Sequence, residues 1–112
     1  MLYFTIVLFA LAAVVGFIIL KNWLTSAETG RTTVYLHGIF AALALVLLIV
    51  YALQNPANYP KASIILFAIG ALLGFYMFAE DLRKKFSPTW LAIVHAIFGI
   101  AGFLVLLFFV FG

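Results

Sequence analysis

The fold is decided by an apolar segment that occurs twice in the chain. It reads TIVLFALAAVVGF at residues 5–17 and SIILFAIGALLGF at residues 63–75, and the copies align without a gap when the sequence is shifted by 58 positions. Each copy is followed by a second apolar segment. The sequence therefore predicts a single domain, residues 1–112, built from two repeats that cover about 1–54 and about 59–112.

The same shift also aligns the two histidines. His37-Gly-Ile-Phe40 falls on His95-Ala-Ile-Phe98, and the chain contains no other histidine. Both histidines lie within apolar segments, where ionisable side chains are costly and mark functional sites by default. The repeated histidine is therefore the first candidate for a functional residue.

The composition is that of a protein in contact with lipid. The chain is 69% hydrophobic and 8% charged, and its mean hydropathy is +1.34. A soluble domain needs more surface charge, whereas lipid can solvate such a chain. The net charge of +3 forms no broad basic face, so we expect no binding of nucleic acid. Because cysteine is absent from the sequence, disulfides, thiolate metal sites and cysteine nucleophiles are excluded.

Four apolar stretches are long enough to cross a bilayer of about 30 Å as α-helices. Continuous apolar runs without alternation argue against β-strands. Lys21 marks the expected end of the first stretch, and Glu80-Asp81 that of the third. Ser87 suits the N-cap of the fourth stretch and Pro88 its first turn. We therefore predict an all-α, integral membrane four-helix bundle with helices at about 2–20, 32–53, 62–79 and 88–111.

Basic residues predict the orientation of this bundle. Residues 21–31 and 80–87 carry five of the six lysines and arginines. Because cytoplasmic loops carry an excess of positive charge, we expect both segments in the cytoplasm and both termini outside, in a bacterial inner membrane. Each repeat has two spans, so the second repeat enters with the orientation of the first. The repeats are then parallel, related by an axis along the membrane normal.

Parallel repeats place the two histidines at one depth. His37 lies about five residues into the second helix and His95 about seven into the fourth, so both lie about 8–10 Å from the cytoplasmic helix ends, at about 1.5 Å per residue. The second and fourth helices are diagonal in a bundle with short loops. We therefore expect the imidazoles to face each other across the bundle axis.

Further residues are expected around this histidine layer. Gly16 and Gly74 are equivalent in the two repeats, and the space they leave serves either close helix packing or a flat cofactor. Arg31 and Lys84 lie on the side where they would neutralise an anionic group of that cofactor. Aromatic side chains are expected to line the same zone, namely Phe17, Phe40, Phe75 and Phe98.

Two opposed imidazoles in an apolar slot suit haem, because the porphyrin supplies four iron ligands and the protein only two. They are too few for a closed zinc site, which has four protein ligands. The four helices with His37 and His95 resemble small membrane-embedded b-type cytochromes. The resemblance implies one haem b per chain, with these histidines as axial ligands, and electron transfer with a quinone or another redox partner.

The resemblance also limits the expected function. Larger b561-type and respiratory cytochromes b carry two haems stacked across the bilayer, whereas this chain has histidines for one. A path for electrons across the whole membrane is therefore not expected. We expect an electron-transfer or haem-binding protein rather than a catalyst, with a quinone-linked oxidoreductase as its enzymatic form.

Other interpretations stay open. Each histidine could form a hydrogen bond that only holds helices together, in which case the protein would be a non-redox scaffold or assembly subunit. Haem sensing or transfer, handling of another metal, and a dimer in which histidines of two chains pair are further alternatives. A small multidrug-type transporter relies on a carboxylate inside the membrane, which the first span lacks. No nucleophile motif accompanies the histidines, which argues against a hydrolase.

Overall fold

The helices of the structure follow the four apolar stretches. A computed structural model describes residues 1–25, 30–83 and 88–112. Within these ranges, four helices are long and apolar enough to cross a membrane. The predicted all-α four-helix fold is confirmed. The helices are α1 (Leu2–Leu24), α2 (Arg31–Gln54), α3 (Lys61–Leu82) and α4 (Thr89–Phe111).

Two helices extend beyond the charged residues at which the sequence predicted an end. α1 continues past Lys21 to Leu24, and α3 includes both Glu80 and Asp81. A long charged side chain can reach from the last turn of a helix to water while its stem stays on apolar surface. Charge at the end of an apolar run therefore does not stop the helix there.

The start of α4 also differs from the expected one. Pro88 has φ −60° and ψ 147°, so its backbone is extended and it is the N-cap residue rather than part of the first turn. The helix begins at Thr89. Ser87, the predicted N-cap, lies outside the described residues.

The four helices pack in a ring, with α1 on α2, α2 on α3, α3 on α4, and α4 on α1. The diagonal pairs are therefore α1 with α3 and α2 with α4. Packing is extensive within the hairpins α1–α2 and α3–α4, less so between α1 and α4, and least extensive between α2 and α3. We name the two ends of the bundle the Met1 end and the Arg31 end, after residues that lie there.

The hydrophobic core lies in the half of the bundle nearer the Met1 end. The rings of Phe9 and Phe67 stack across the α1–α3 diagonal, with centroids 3.9 Å apart and planes at 5°. A Cβ atom at Gly102 would lie 3.0 Å from Cδ1 of Phe67, so the ring occupies space that only glycine leaves. The buried residues of this core are Leu8, Phe9, Ala44, Leu48, Phe67 and Leu106.

Fewer residues are buried in the half nearer the Arg31 end. Its described residues are 13–25, 31–42, 72–83 and 88–100, and among them only Leu91 and Ala92 of α4 are buried. At the equivalent positions of α2, Thr33 and Val34 are half-buried. Both histidines lie in this half of the bundle.

A core leucine and an exposed leucine on one helix test this placement of the core. Leu106 is fully buried, and Leu106→Ala should lower the free energy of unfolding by about 2–5 kcal/mol, because it removes contacts and leaves a cavity. Leu104 is 53% exposed, and Leu104→Ala should change it by about 0.5 kcal/mol or less. Titration with sodium dodecyl sulfate, followed by circular dichroism, measures both. Equal losses would contradict the assigned core.

Candidate histidine site

Each histidine is held by a hydrogen bond within its own hairpin. The Nδ1–H of His37 on α2 donates to the backbone carbonyl oxygen of Ala12 on α1, at 2.8 Å. The Nδ1–H of His95 on α4 donates to the carbonyl oxygen of Gly70 on α3, at 2.7 Å. The donors are 58 residues apart, and so are the acceptors. The two hairpins therefore hold their imidazoles by the same contact.

This contact determines the tautomer of both rings. A carbonyl oxygen only accepts hydrogen bonds, so the proton of each neutral imidazole must be on Nδ1. Nε2 then has a free lone pair and can accept a hydrogen bond or ligate a metal. A ring nitrogen bonded in this way to a backbone carbonyl is the usual arrangement of histidines that ligate metals.

Gly16 and Gly74 make room for the imidazoles. A Cβ atom at Gly16 would lie 2.9 Å from Cε1 of His37, and a Cβ atom at Gly74 would lie 3.0 Å from Cε1 of His95. Both distances are shorter than normal contacts of a Cβ atom. The sequence predicted that the space beside Gly16 and Gly74 serves helix packing or a cofactor. In the structure, the histidine side chain of the same hairpin occupies that space.

The two imidazoles meet in the interior of the bundle. Their ring centroids are 6.1 Å apart, and their planes are inclined at 79°. Because α2 and α4 are diagonal, the rings approach each other across the bundle rather than along one side of it. Both histidines are half-buried.

The predicted aromatic lining is divided between two environments. Phe17 and Phe75 are 56% and 67% exposed, so their side chains lie on the outer surface of the bundle and away from the imidazoles. Phe40 is half-buried and packs against the hydrophobic core. Phe98 is half-buried. Its Cβ lies 3.5 Å from the position that a Cβ atom would have at Gly70, the residue that accepts the hydrogen bond of His95.

Of the two charged residues predicted near the histidine layer, the structure describes only Arg31. Nη1 of Arg31 lies 2.8 Å from Oδ2 of Asp81, and the two side chains are 47% and 53% exposed. Arg31 is therefore engaged by a carboxylate of α3 and is not free at the histidine layer. Lys84 lies outside the described residues.

Sequence reasoning missed the groups that hold the histidines. Ala12 and Gly70 act through backbone carbonyls, which every residue has, so no side chain identifies them. One signal was present, because a small residue precedes each histidine by 25 positions in both repeats. Asp81 was also missed, since its equivalent in the first repeat is Trp23 and the ion pair with Arg31 is not repeated.

The chemistry of these donors fits a metal that needs two ligands from the protein. Among the described residues, no group of three or more histidine, cysteine, aspartate or glutamate side chains could hold an ion, which does not fit a closed zinc site. Haem iron needs only axial ligands, and imidazole is a standard one. Two Nε2 atoms with free lone pairs match this requirement.

Comparisons with known proteins add no relative to this description. No protein family matches the chain, and neither the curated proteins nor the solved structures give a match.

Alanine at the two glycines that face the histidines should destabilise the bundle. Gly16→Ala and Gly74→Ala each force an imidazole to move, and the free energy of unfolding should fall by about 1–3 kcal/mol. Gly38 and Gly99 are matched controls on helices, because a Cβ at either would meet no atom within 4 Å.

In these controls alanine should leave the stability unchanged or raise it by up to about 1 kcal/mol, through its higher helix propensity. Unfolding in sodium dodecyl sulfate measures all four variants. A loss of the same size at Gly38 as at Gly16 would show that the imidazole contact is not the cause.

Proposed function

We propose that the protein binds one b-type haem between His37 and His95. The observation that carries this proposal is the pairing of the imidazoles at 6.1 Å with both Nδ1 atoms bonded to backbone carbonyls. This arrangement leaves the two Nε2 atoms available and keeps the rings oriented before a ligand binds. Preorganised ligands reduce the conformational entropy that binding costs.

We further propose that the four helices span a membrane as two parallel hairpins. Helix length and hydropathy support insertion. Two observations support a twofold relation between the hairpins. His37 and His95 form the same hydrogen bond in their own hairpins, and Phe9 stacks on its equivalent residue, Phe67. The basic segments 21–31 and 80–87 would then face the cytoplasm of a bacterium, with both termini outside.

Within this proposal the residues of the chain have separate tasks. His37 and His95 would ligate the iron, and the carbonyls of Ala12 and Gly70 would hold their rings in place. Arg31 is paired with Asp81 in the structure, so it would have to exchange that partner to neutralise a carboxylate of the bound group near the cytoplasmic face. When bound, haem would supply a one-electron redox centre.

A single redox centre near one face suggests electron exchange on that side of the membrane. A quinone or another redox protein is the proposed partner, and a quinone-linked oxidoreductase is the enzymatic form of the proposal. Transmembrane electron transfer is not proposed, because the chain has no second pair of histidines. Haem sensing or transfer would use the same ligands without a redox partner.

A second function is favoured by the same hydrogen bonds. An imidazole that donates to a carbonyl and fills the space beside a glycine holds two helices together without any ligand. The protein would then be a non-redox scaffold or assembly subunit in a larger membrane complex. The two functions differ in the role of Nε2, which would ligate the iron in the haem protein and has no ligand in the scaffold. Variants that lack Nε2 test this difference.

Titration of the purified protein with haemin tests the haem proposal. The wild-type protein should bind one equivalent and show a Soret band, with sharp α and β bands after reduction with dithionite. His37→Asn and His95→Asn retain a side-chain N–H near the position of Nδ1 but have no counterpart of Nε2. Each should lower the affinity for haemin by about 100-fold or more, since even groups that support metal ligands contribute about 10–100-fold.

The asparagine variants also separate the two functions. If the histidines only hold helices together, asparagine should preserve the stability of the bundle, whereas His37→Ala should lower it by about 1–3 kcal/mol. If the spectrum of haemin added to the wild-type protein stays that of free haemin, this result and the pattern of stabilities together would support the scaffold and end the haem proposal.

Single cysteines in this cysteine-free chain test insertion and orientation. Thr25 at the Arg31 end and Asn58 at the Met1 end are both exposed. In intact bacterial cells a membrane-impermeant maleimide should label Asn58→Cys and not Thr25→Cys. Labelling of Thr25→Cys alone would show that the orientation is opposite to the proposed one. Labelling of both variants would contradict insertion into the membrane.

A further inference from the structure

Of the four neighbouring helix pairs, α2 and α3 have the least extensive contact over their whole length. The pairs α1–α2 and α3–α4 are joined in the histidine layer by the imidazole–carbonyl hydrogen bonds. The remaining pair, α1–α4, has more extensive contact than α2–α3. Near the Arg31 end α4 also contributes the buried Leu91 and Ala92, whereas the equivalent residues of α2, Thr33 and Val34, are half-buried.

Two side-chain contacts join α2 to α3 near the Arg31 end. Arg31 forms the ion pair with Asp81, and the ring of Tyr35 meets the ring of Phe78 edge-on, with centroids 5.9 Å apart. We call these four residues the α2–α3 seam. Exposed ion pairs contribute little net stability, so this one can open and close readily.

These contacts are not repeated on the opposite side of the bundle, between α1 and α4. The residues equivalent to Arg31 and Asp81 are Thr89 and Trp23, which carry no charge. The residues equivalent to Tyr35 and Phe78 are Ile93 and Leu20. The ion pair is thus specific to the side with the least extensive helix packing.

The position of Arg31 connects the seam to the histidine layer. Arg31 precedes His37 by six residues on α2, or about 9 Å along the helix. A guanidinium binds one carboxylate as well as another, often through two parallel hydrogen bonds. A ligand that carries carboxylates could therefore replace Asp81 as the partner of Arg31 while its apolar body moves between α2 and α3.

We propose that the α2–α3 seam is the entrance to the histidine layer and that the ion pair between Arg31 and Asp81 is its latch. The ligand class is a flat apolar molecule with carboxylate groups at one edge. Its carboxylate exchanges with Asp81 on Arg31, the seam opens, and the apolar part reaches the imidazoles. The identity of that ligand as haem rests on the proposed function, whereas the latch does not.

Cross-linking of the seam tests the entrance. Tyr35→Cys/Phe78→Cys, joined by a short bifunctional thiol reagent, should lose uptake of haemin, and cleavage of the cross-link should restore it. Leu20→Cys/Ile93→Cys places the same cross-link on the opposite side, and its uptake should remain at the rate of the wild-type protein. Protein loaded with haemin before cross-linking should keep its spectrum in both variants, which shows that the ligands themselves are intact.

A labelling measurement without haemin tests the latch. The rate at which N-ethylmaleimide labels a single cysteine in Phe78→Cys should rise about 1.4- to 5-fold when Asp81→Asn is added. This is the range expected when an exposed ion pair is removed. Leu20→Cys, the equivalent position on α1, should be labelled at the same rate with and without Asp81→Asn.

The outcomes separate the two proposals. Uptake of haemin through the cross-linked seam at an unchanged rate would overturn the entrance, and equal labelling of Phe78→Cys with and without Asp81→Asn would overturn the latch. If the wild-type protein takes up no haemin, the proposed haem function fails, and a rise in labelling at position 78 alone still supports the latch.

Discussion

The site depends on one interaction, the hydrogen bond from Nδ1 of each histidine to a backbone carbonyl of the neighbouring helix. A polar ring among apolar helices is costly unless it is hydrogen-bonded, so this contact determines where the imidazole can lie. It also places the proton on Nδ1 and frees Nε2. The glycine that each ring needs follows the accepting residue by one helical turn, at Gly16 and Gly74, and so lies on the same face of the helix.

The bundle is divided along its length into a packed half and a half that contains the site. Phe9, Phe67 and the buried leucines fill the interior near the Met1 end, so the hairpins are held together without the histidines. The hydrophobic core therefore does not depend on residues near the Arg31 end. The hairpins are equivalent in their hydrogen bonds, but they differ at the α2–α3 seam, where Arg31 and Asp81 form an ion pair on one side of the bundle. The hydrogen bonds of the histidines thus join equivalent positions in the two hairpins, whereas the ion pair of the seam has no equivalent.

The sequence predicted the four helices well, because length and hydropathy belong to each segment by itself. It was less informative about which side chains share a face. Phe17 and Phe75 directly follow the two glycines, and adjacent residues on a helix point about 100° apart, so their exposure follows from helical geometry. The carbonyls of Ala12 and Gly70 and the partner of Arg31 depend on how the helices are arranged, which no local pattern contains.

Nitrogen NMR of the protein labelled with ¹⁵N-histidine observes directly which ring nitrogens are protonated and whether both bind one ligand. We predict that each histidine, when its ring is neutral, has its proton on Nδ1 before any ligand is added. One equivalent of haemin should then shift or broaden the Nε2 signals of His37 and His95 together, because one iron would bind both. Protons on Nε2 in the free protein, or Nε2 signals that stay unchanged with haemin, would contradict the account.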